Sequence, residues 1–247
     1  MTTTTPGRAP RNSEPCDAPS VLASPASRQL AQGWLREHPV VPVVTIQDAH
    51  EAAPLAEALL AGGIGVIEVT LRSSAALAAV ASIRAAVPQI VCGVGTILRA
   101  DDITAAVDAG AQFLVSPGST PALLDAAADT HRTLGAPLLP GASTATEALA
   151  LLERGYTTVK FFPAEANGGA AALAALAGPL PELTWCATGG ITAENAPSYL
   201  RLGNVAAVGG AWMAPKSTIQ ARDWKQIADL AASAAAVAQA PTTIPAG

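Results

Sequence analysis

The sequence predicts one α/β domain closed as a (β/α)8 barrel, with an extra N-terminal helix and a disordered N-terminal tail, and three observations carry that prediction. β-branched runs begin near Val40, Ile64, Ile90, Gln112, Ala136, Thr157, Leu183 and Asn204, at intervals of 21 to 26 residues, and an alanine-rich segment follows each. The chain has 247 residues, and eight strand–helix units typically close within about 250. An open doubly wound sheet would carry G-x-G-x-x-G after its first strand, whereas Val40 to Thr45 leads into Ile46-Gln47-Asp48 with no glycine.

Taken in order, residues 1–25 are rich in Thr, Pro, Ser and Arg and hold too few apolar side chains to pack, which predicts a disordered extension. They lack the apolar core of a secretory signal, and Glu14 and Asp17 argue against an acid-poor transit leader. A short helix is expected from Ser27 to Glu37, inside a barrel domain spanning residues 26–240, with a flexible tail at 241–247. Barrel helices are predicted at about 48–61, 73–86, 100–109, 120–130, 144–154, 168–177, 192–202 and 222–239.

Composition removes several function classes. Half of the residues are hydrophobic and 13% are charged, enough to bury a large core, and the net charge of −5 gives no broad basic field for nucleic acid. No apolar run approaches the roughly 20 residues needed to cross a bilayer, so the expectation is a soluble, cytoplasmic protein. Cys16, Cys92 and Cys186 are scattered, and His38, His50 and His131 form no H-x-x-x-H pattern. Metal-free chemistry with no cofactor is therefore expected.

In a barrel, reactive groups sit where strands end. Lys160 stands between Val159 and Phe161-Phe162 near the end of the sixth predicted strand, whereas Lys216 and Lys225 lie in polar surroundings. Burial disfavours the charged form of a lysine, so such an amine is a Schiff-base candidate. Alternation puts Thr158, Lys160 and Phe162 on one side, and in the second strand puts Glu68, Thr70 and Arg72 on one side. Glu68 then either pairs structurally with Arg72 or serves catalysis. Thr96, after Gly95, reads by itself as a turn and helix N-cap. Ser116-Pro117-Gly118-Ser119 and Pro140-Gly141-Ala142-Ser143 read as turns closing strands four and five, and Glu165 as a loop charge. The last two strands end in Gly189-Gly190 and Gly209-Gly210, turns of the kind that expose backbone N–H groups to phosphate. A buried lysine, a Glu–Arg pair and a paired-glycine anion site together point to carbon–carbon chemistry on a phosphorylated keto acid.

The segments PVVPV at 39–43, AGGIGVIEVTLR at 61–72, GVGT at 93–96, SPG at 116–118, PGAST at 140–144, KFFPAEANGG at 160–169 and TGGI at 188–191 carry a family resemblance. Over about residues 30–235 the chain resembles 2-keto-3-deoxy-6-phosphogluconate (KDPG) aldolase, many of whose members also act on 2-keto-4-hydroxyglutarate (KHG). The resemblance implies a metal-independent Schiff-base lyase of the Entner-Doudoroff pathway that releases pyruvate, a homotrimer with no nucleic-acid or membrane partner. It implies Lys160 as nucleophile and Glu68 as general acid/base, Arg72 and Thr96 on the keto-acid carboxylate, and Pro117 and Phe162 lining the pyruvate pocket. The backbone of Gly189, Gly190, Gly209 and Gly210 would bind phosphate. Two positions depart from the family pattern: Ala211 stands where a serine usually follows the last glycine pair, and Ala187 where proline often precedes TGG. The readings left open are the same chemistry on KHG or another keto acid, a metal-dependent aldolase, and a catalytically silent phosphosugar-binding barrel.

Overall fold

The structure, a computed structural model, describes Met1, Gly33 and residues 35–239. Its strands are β1 (Val40–Val44), β2 (Val66–Thr70), β3 (Val91–Gly95), β4 (Phe113–Val115), β5 (Leu138–Leu139), β6 (Gly141–Ala142), β7 (Thr158–Phe161), β8 (Thr184–Thr188) and β9 (Val205–Gly210). They pair in the order β5-β4-β3-β2-β1-β9-β8-β7-β6, and every pairing is parallel. The two ends of that order are adjacent in sequence. β5 and β6 are halves of one strand interrupted at Pro140, the first half pairing with β4 and the second with β7. The sheet is thus an eight-fold barrel whose fifth strand is broken.

Pro140 explains the break: it has no N–H to donate to the ladder on the β7 side, which its carbonyl faces. Its carbonyl still accepts the Lys160 N–H at 2.8 Å. Two serines patch the gap, since the Ser116 hydroxyl accepts the Gly141 N–H at 3.3 Å and the Ser119 hydroxyl donates to the Gly141 carbonyl at 2.9 Å. Pro140-Gly141 is therefore not the turn that ends strand five, as its composition predicted, but lies inside that strand.

The helices cover the barrel as the periodicity predicts, with local differences. Ala52–Ala61 packs on Trp224–Gln239, and Gly62 allows the close approach, because a Cβ there would lie 2.5 Å from the Ala228 carbonyl oxygen. Ala145–Glu153 starts in a capping box: Thr144 and Glu147 cap each other, and the Ser143 N–H is the foremost of the donors holding the Glu147 carboxyl below its usual range. The segment predicted at 192–202 is helical only over Ala196–Leu200, because Thr192 and Asn195 hydrogen-bond each other in the preceding turn. The last predicted helix begins at Trp224, where the Asp223 carboxylate accepts the Gln226 N–H at 2.9 Å, and a separate turn of helix, Lys216–Gln220, precedes it. Of the helix expected at Ser27–Glu37, Gly33 and residues 35–37 are helical; the remainder, like the tails at 2–25 and 241–247, lies outside the described residues.

Strand residues are buried on both barrel faces, as a parallel sheet under helices requires. On the outer face Phe161 meets Trp185 edge to face at 5.7 Å. The seam at strand five is the least tolerant point of the closure. A Cβ on Gly141 would stand 2.4 Å from the Pro117 carbonyl carbon and oxygen, which are backbone and cannot swing aside. Gly141→Ala is expected to cost about 1–3 kcal/mol by overpacking, read as a lower midpoint in urea unfolding; an unchanged midpoint would contradict this account of the seam.

Candidate active site

Register decides which side chains meet inside the barrel. Val43 pairs with Glu68 and Glu68 with Gly93, while Gly141 pairs with Lys160 and Lys160 with Cys186. In-register neighbours in a parallel sheet point the same way, so Glu68 and Lys160 project into the interior from opposite walls. They are 3% and 4% exposed, and Lys160 Nζ lies 3.4 Å from Glu68 Oε1. Glycine makes the room: a Cβ on Gly95 would lie 2.0 Å from Glu68 Oε1. The Lys160 ammonium also stands 5.2 Å from the centroid of Phe162, a half-buried ring that forms one wall beside it. Cys186 is buried in the same layer, and burial pushes its thiol up to about 12. It is a packing group there rather than a second nucleophile.

Glu68 therefore has Lys160, and not Arg72, as its counter-charge. β2 ends at Thr70, and the Arg72 N–H turns back to the Thr70 carbonyl at 2.8 Å, so the strand's alternation stops before Arg72. Its side chain is exposed at the barrel mouth, without an ion-pair partner among the described residues. Thr96 is half-buried at the end of β3 and holds a left-handed backbone, φ 66°, a conformation costly for a β-branched residue. It is not the N-cap of the next helix. Asp102 performs that capping by accepting the Leu98 and Arg99 N–H groups at 2.9 and 3.2 Å, which leaves the Thr96 hydroxyl without a partner among the described residues. Pro117 is half-buried at the end of β4, against the strand-five seam.

The two glycine pairs lie side by side because Thr188 pairs with Gly209. Gly189 and Gly190 have φ of 102° and 78°, which only glycine adopts readily. Gly210 lies under the Trp212 indole, where a Cβ would come within 2.2 Å of the ring. Ala211 is exposed beyond them, and Ala187 is fully buried on β8. The helices that follow, Ala196–Leu200 and Lys216–Gln220, have five residues each. Positive potential at these turns comes from their backbone N–H groups more than from a long helix dipole.

Sequence reasoning missed a tie between the lysine strand and this region. The Ala164 N–H donates to Thr188 at 2.8 Å and the Glu165 N–H to Gly189 at 3.0 Å, continuing the β7–β8 pairing past the strand ends. The buried Tyr199 hydroxyl donates to the Glu165 carboxylate, and the Asn195 amide donates to the Gly190 carbonyl at 3.0 Å. Burial, then the carboxylate, push the Tyr199 phenol well above its usual range. Glu165 is thus a bracket for the glycine turn, a role that a partner 34 residues away kept out of the local sequence.

A buried ion pair is costly to break from one side, about 3–5 kcal/mol, and often nearly neutral to replace as a unit. Lys160→Met and Glu68→Leu are each expected to destabilise by an amount in that range, and the double substitution by much less than their sum. Denaturant titration of the four proteins measures the coupling; additive losses would mean that the 3.4 Å contact is not an energetic pair.

Comparison with known proteins places these features in a family. The family model for KDPG and KHG aldolase matches residues 32–230. The chain is similar to the 2-dehydro-3-deoxy-phosphogluconate aldolase of Pseudoalteromonas atlantica, 45% identical over 83% of this chain and 94% of that protein. It is 44% identical to the KHG/KDPG aldolase of Escherichia coli K12, over 83% and 94% of the two chains. Among solved structures it resembles the KDPG aldolase of Legionella pneumophila with pyruvate captured as a covalent carbinolamine, with a TM-score of 0.79 and 40% identity over 83% of this chain and 97% of that one. The Zymomonas mobilis enzyme with 3-phosphoglycerate superposes with a TM-score of 0.80 at 40% identity, over 85% and 97%. The chain belongs to the KDPG and KHG aldolase family.

Proposed function

We propose that the chain cleaves KDPG reversibly to pyruvate and glyceraldehyde 3-phosphate as a Schiff-base lyase, with Lys160 as nucleophile and Glu68 as the proton carrier. The observation that supports this reading is the buried Lys160–Glu68 contact at 3.4 Å, an amine and a carboxylate within one hydrogen bond of each other inside the barrel. The carbinolamine captured in the Legionella relative is an intermediate of the same chemistry.

In this mechanism the neutral Lys160 amine adds to the C2 ketone. The resulting carbinolamine loses water to give an iminium. Glu68 takes the C4 hydroxyl proton as the C3–C4 electron pair moves toward the iminium nitrogen, releasing the aldehyde and leaving an enamine. Protonation at C3 and hydrolysis return pyruvate and free Lys160. The iminium is itself the electron sink, so the bond cleavage requires no Lewis acid. Arg72 and the Thr96 hydroxyl are assigned to the substrate carboxylate, the Phe162 ring and Pro117 to the walls around pyruvate, and the turns at Gly189, Gly190, Gly209 and Gly210 to the phosphate. With alanine at 211, the phosphate is held by backbone N–H groups without a side-chain hydroxyl. The working assembly in this reading is a homotrimer, which sedimentation equilibrium measures directly.

The test is pyruvate release from KDPG, its galactonate epimer and KHG, assayed side by side. KDPG is expected to have the highest kcat/KM, and a preference for KHG would overturn the substrate assignment. Glu68→Gln is expected to keep imine formation with pyruvate while slowing cleavage by about 10²–10⁴-fold. Equal loss of both steps would remove the proton-carrier role.

A further inference from the structure

Above the Lys160–Glu68 layer, the interior of the barrel presents two hydroxyls that the mechanism has not used. Thr70 lies two residues beyond Glu68 on β2 and is 1% exposed; Thr45 directly follows β1 and is half-buried. Their oxygens are 2.8 Å apart, and Thr70 Oγ1 is also 3.0 Å from the Val44 carbonyl oxygen. The Ser73 hydroxyl, donating to the Ile46 carbonyl, fastens the chain just after Thr45 to the loop that follows β2.

Counting protons orients this chain of hydroxyls. Each threonine has one proton to give, and a carbonyl can only accept. Both contacts are hydrogen bonds only if Thr70 donates to Val44 and Thr45 donates to Thr70. Thr45 Oγ1 is then left with lone pairs alone facing the mouth. An oxygen held in that state is unsuited to a carboxylate or a phosphate, which also only accept; it selects an O–H or N–H donor.

The strand order says which part of a ligand it meets. β1 lies between β2, whose end carries Arg72, and β9, whose end carries Gly209 and Gly210. A phosphorylated keto acid with its carboxylate at Arg72 and its phosphate at the glycine turns passes the end of β1 with its middle carbons. In the mechanism above, Glu68 takes the C4 hydroxyl, which leaves the hydroxyl at C5. We propose that Thr45, oriented by the Thr70–Val44 relay, accepts a hydrogen bond from the C5 hydroxyl of the substrate and so determines specificity for a hydroxylated acceptor aldehyde.

This inference rests on the proposed function, and its test separates the two. Thr45→Val removes the acceptor at nearly constant volume, and Thr45→Ser retains it. Thr45→Val is expected to lower kcat/KM for KDPG about tenfold, the effect of one hydrogen bond of ordinary strength. It should leave the kcat/KM for KHG, which has no C5 hydroxyl, and the rate of borohydride trapping of pyruvate within about twofold of the unsubstituted protein. Thr45→Ser should restore most of the KDPG activity. Unchanged KDPG cleavage in Thr45→Val would overturn the inference, as would parallel losses in all three measurements, which would mark a purely structural threonine. Failure of the unsubstituted protein to cleave KDPG would instead sink the proposed function.

Discussion

The contact between Lys160 and Glu68 is the constraint on which the rest of the interior depends. Two opposite charges taken out of water are tolerated only as a pair, and these two come from strands 92 residues apart in sequence. To bring them within 3.4 Å, the barrel must close at a fixed register and leave space beside the carboxylate. Gly95 supplies the space, and the parallel pairings of β2 with β1 and β3, and of β7 with β6 and β8, supply the register. The pair is also the proposed reactive centre, and the same geometry that neutralises two buried charges places a carboxylate next to an amine.

Closure of the barrel beside that pair is made by its weakest strand. Pro140 interrupts the fifth strand, yet its carbonyl accepts the Lys160 N–H, and Ser116 and Ser119 hold the peptide groups of Gly141. On the other side of Lys160, Ala164 and Glu165 are hydrogen-bonded to Thr188 and Gly189, with Tyr199 holding Glu165. The lysine strand is thus braced on both flanks, by the seam on one and by the glycine turn on the other. Lys160 and the Gly189 turn share one backbone ladder, which in the proposed function favours a fixed distance between the reacting carbon and the far end of the substrate.

Much of this was legible in the sequence, for identifiable reasons. The strand rhythm shows because buried parallel strands need β-branched runs, and Lys160 shows because a charge inside such a run is anomalous. The glycine pairs show because positive φ at Gly189 and Gly190 leaves few other residues possible. Contacts between distant segments did not show. Alternation put Arg72 in line with Glu68, but the strand ends at Thr70 and the arginine turns out to the mouth. Thr96 followed the pattern of an N-cap, while Asp102 does the capping. Pro140-Gly141 has the composition of a turn and lies within a strand, because only the folded barrel supplies the serines that make a proline there tolerable. The Tyr199–Glu165 and Thr45–Thr70 bonds likewise join groups that nothing in local spacing relates.

The most direct test of the central claim is to locate the covalent intermediate. The protein is incubated with pyruvate and borohydride, digested, and the modified peptide sequenced by mass spectrometry. The account predicts a single reduced pyruvate adduct on Lys160, absent in Lys160→Met. An adduct on Lys216 or Lys225, or none on a folded protein that still cleaves its substrate, would contradict it.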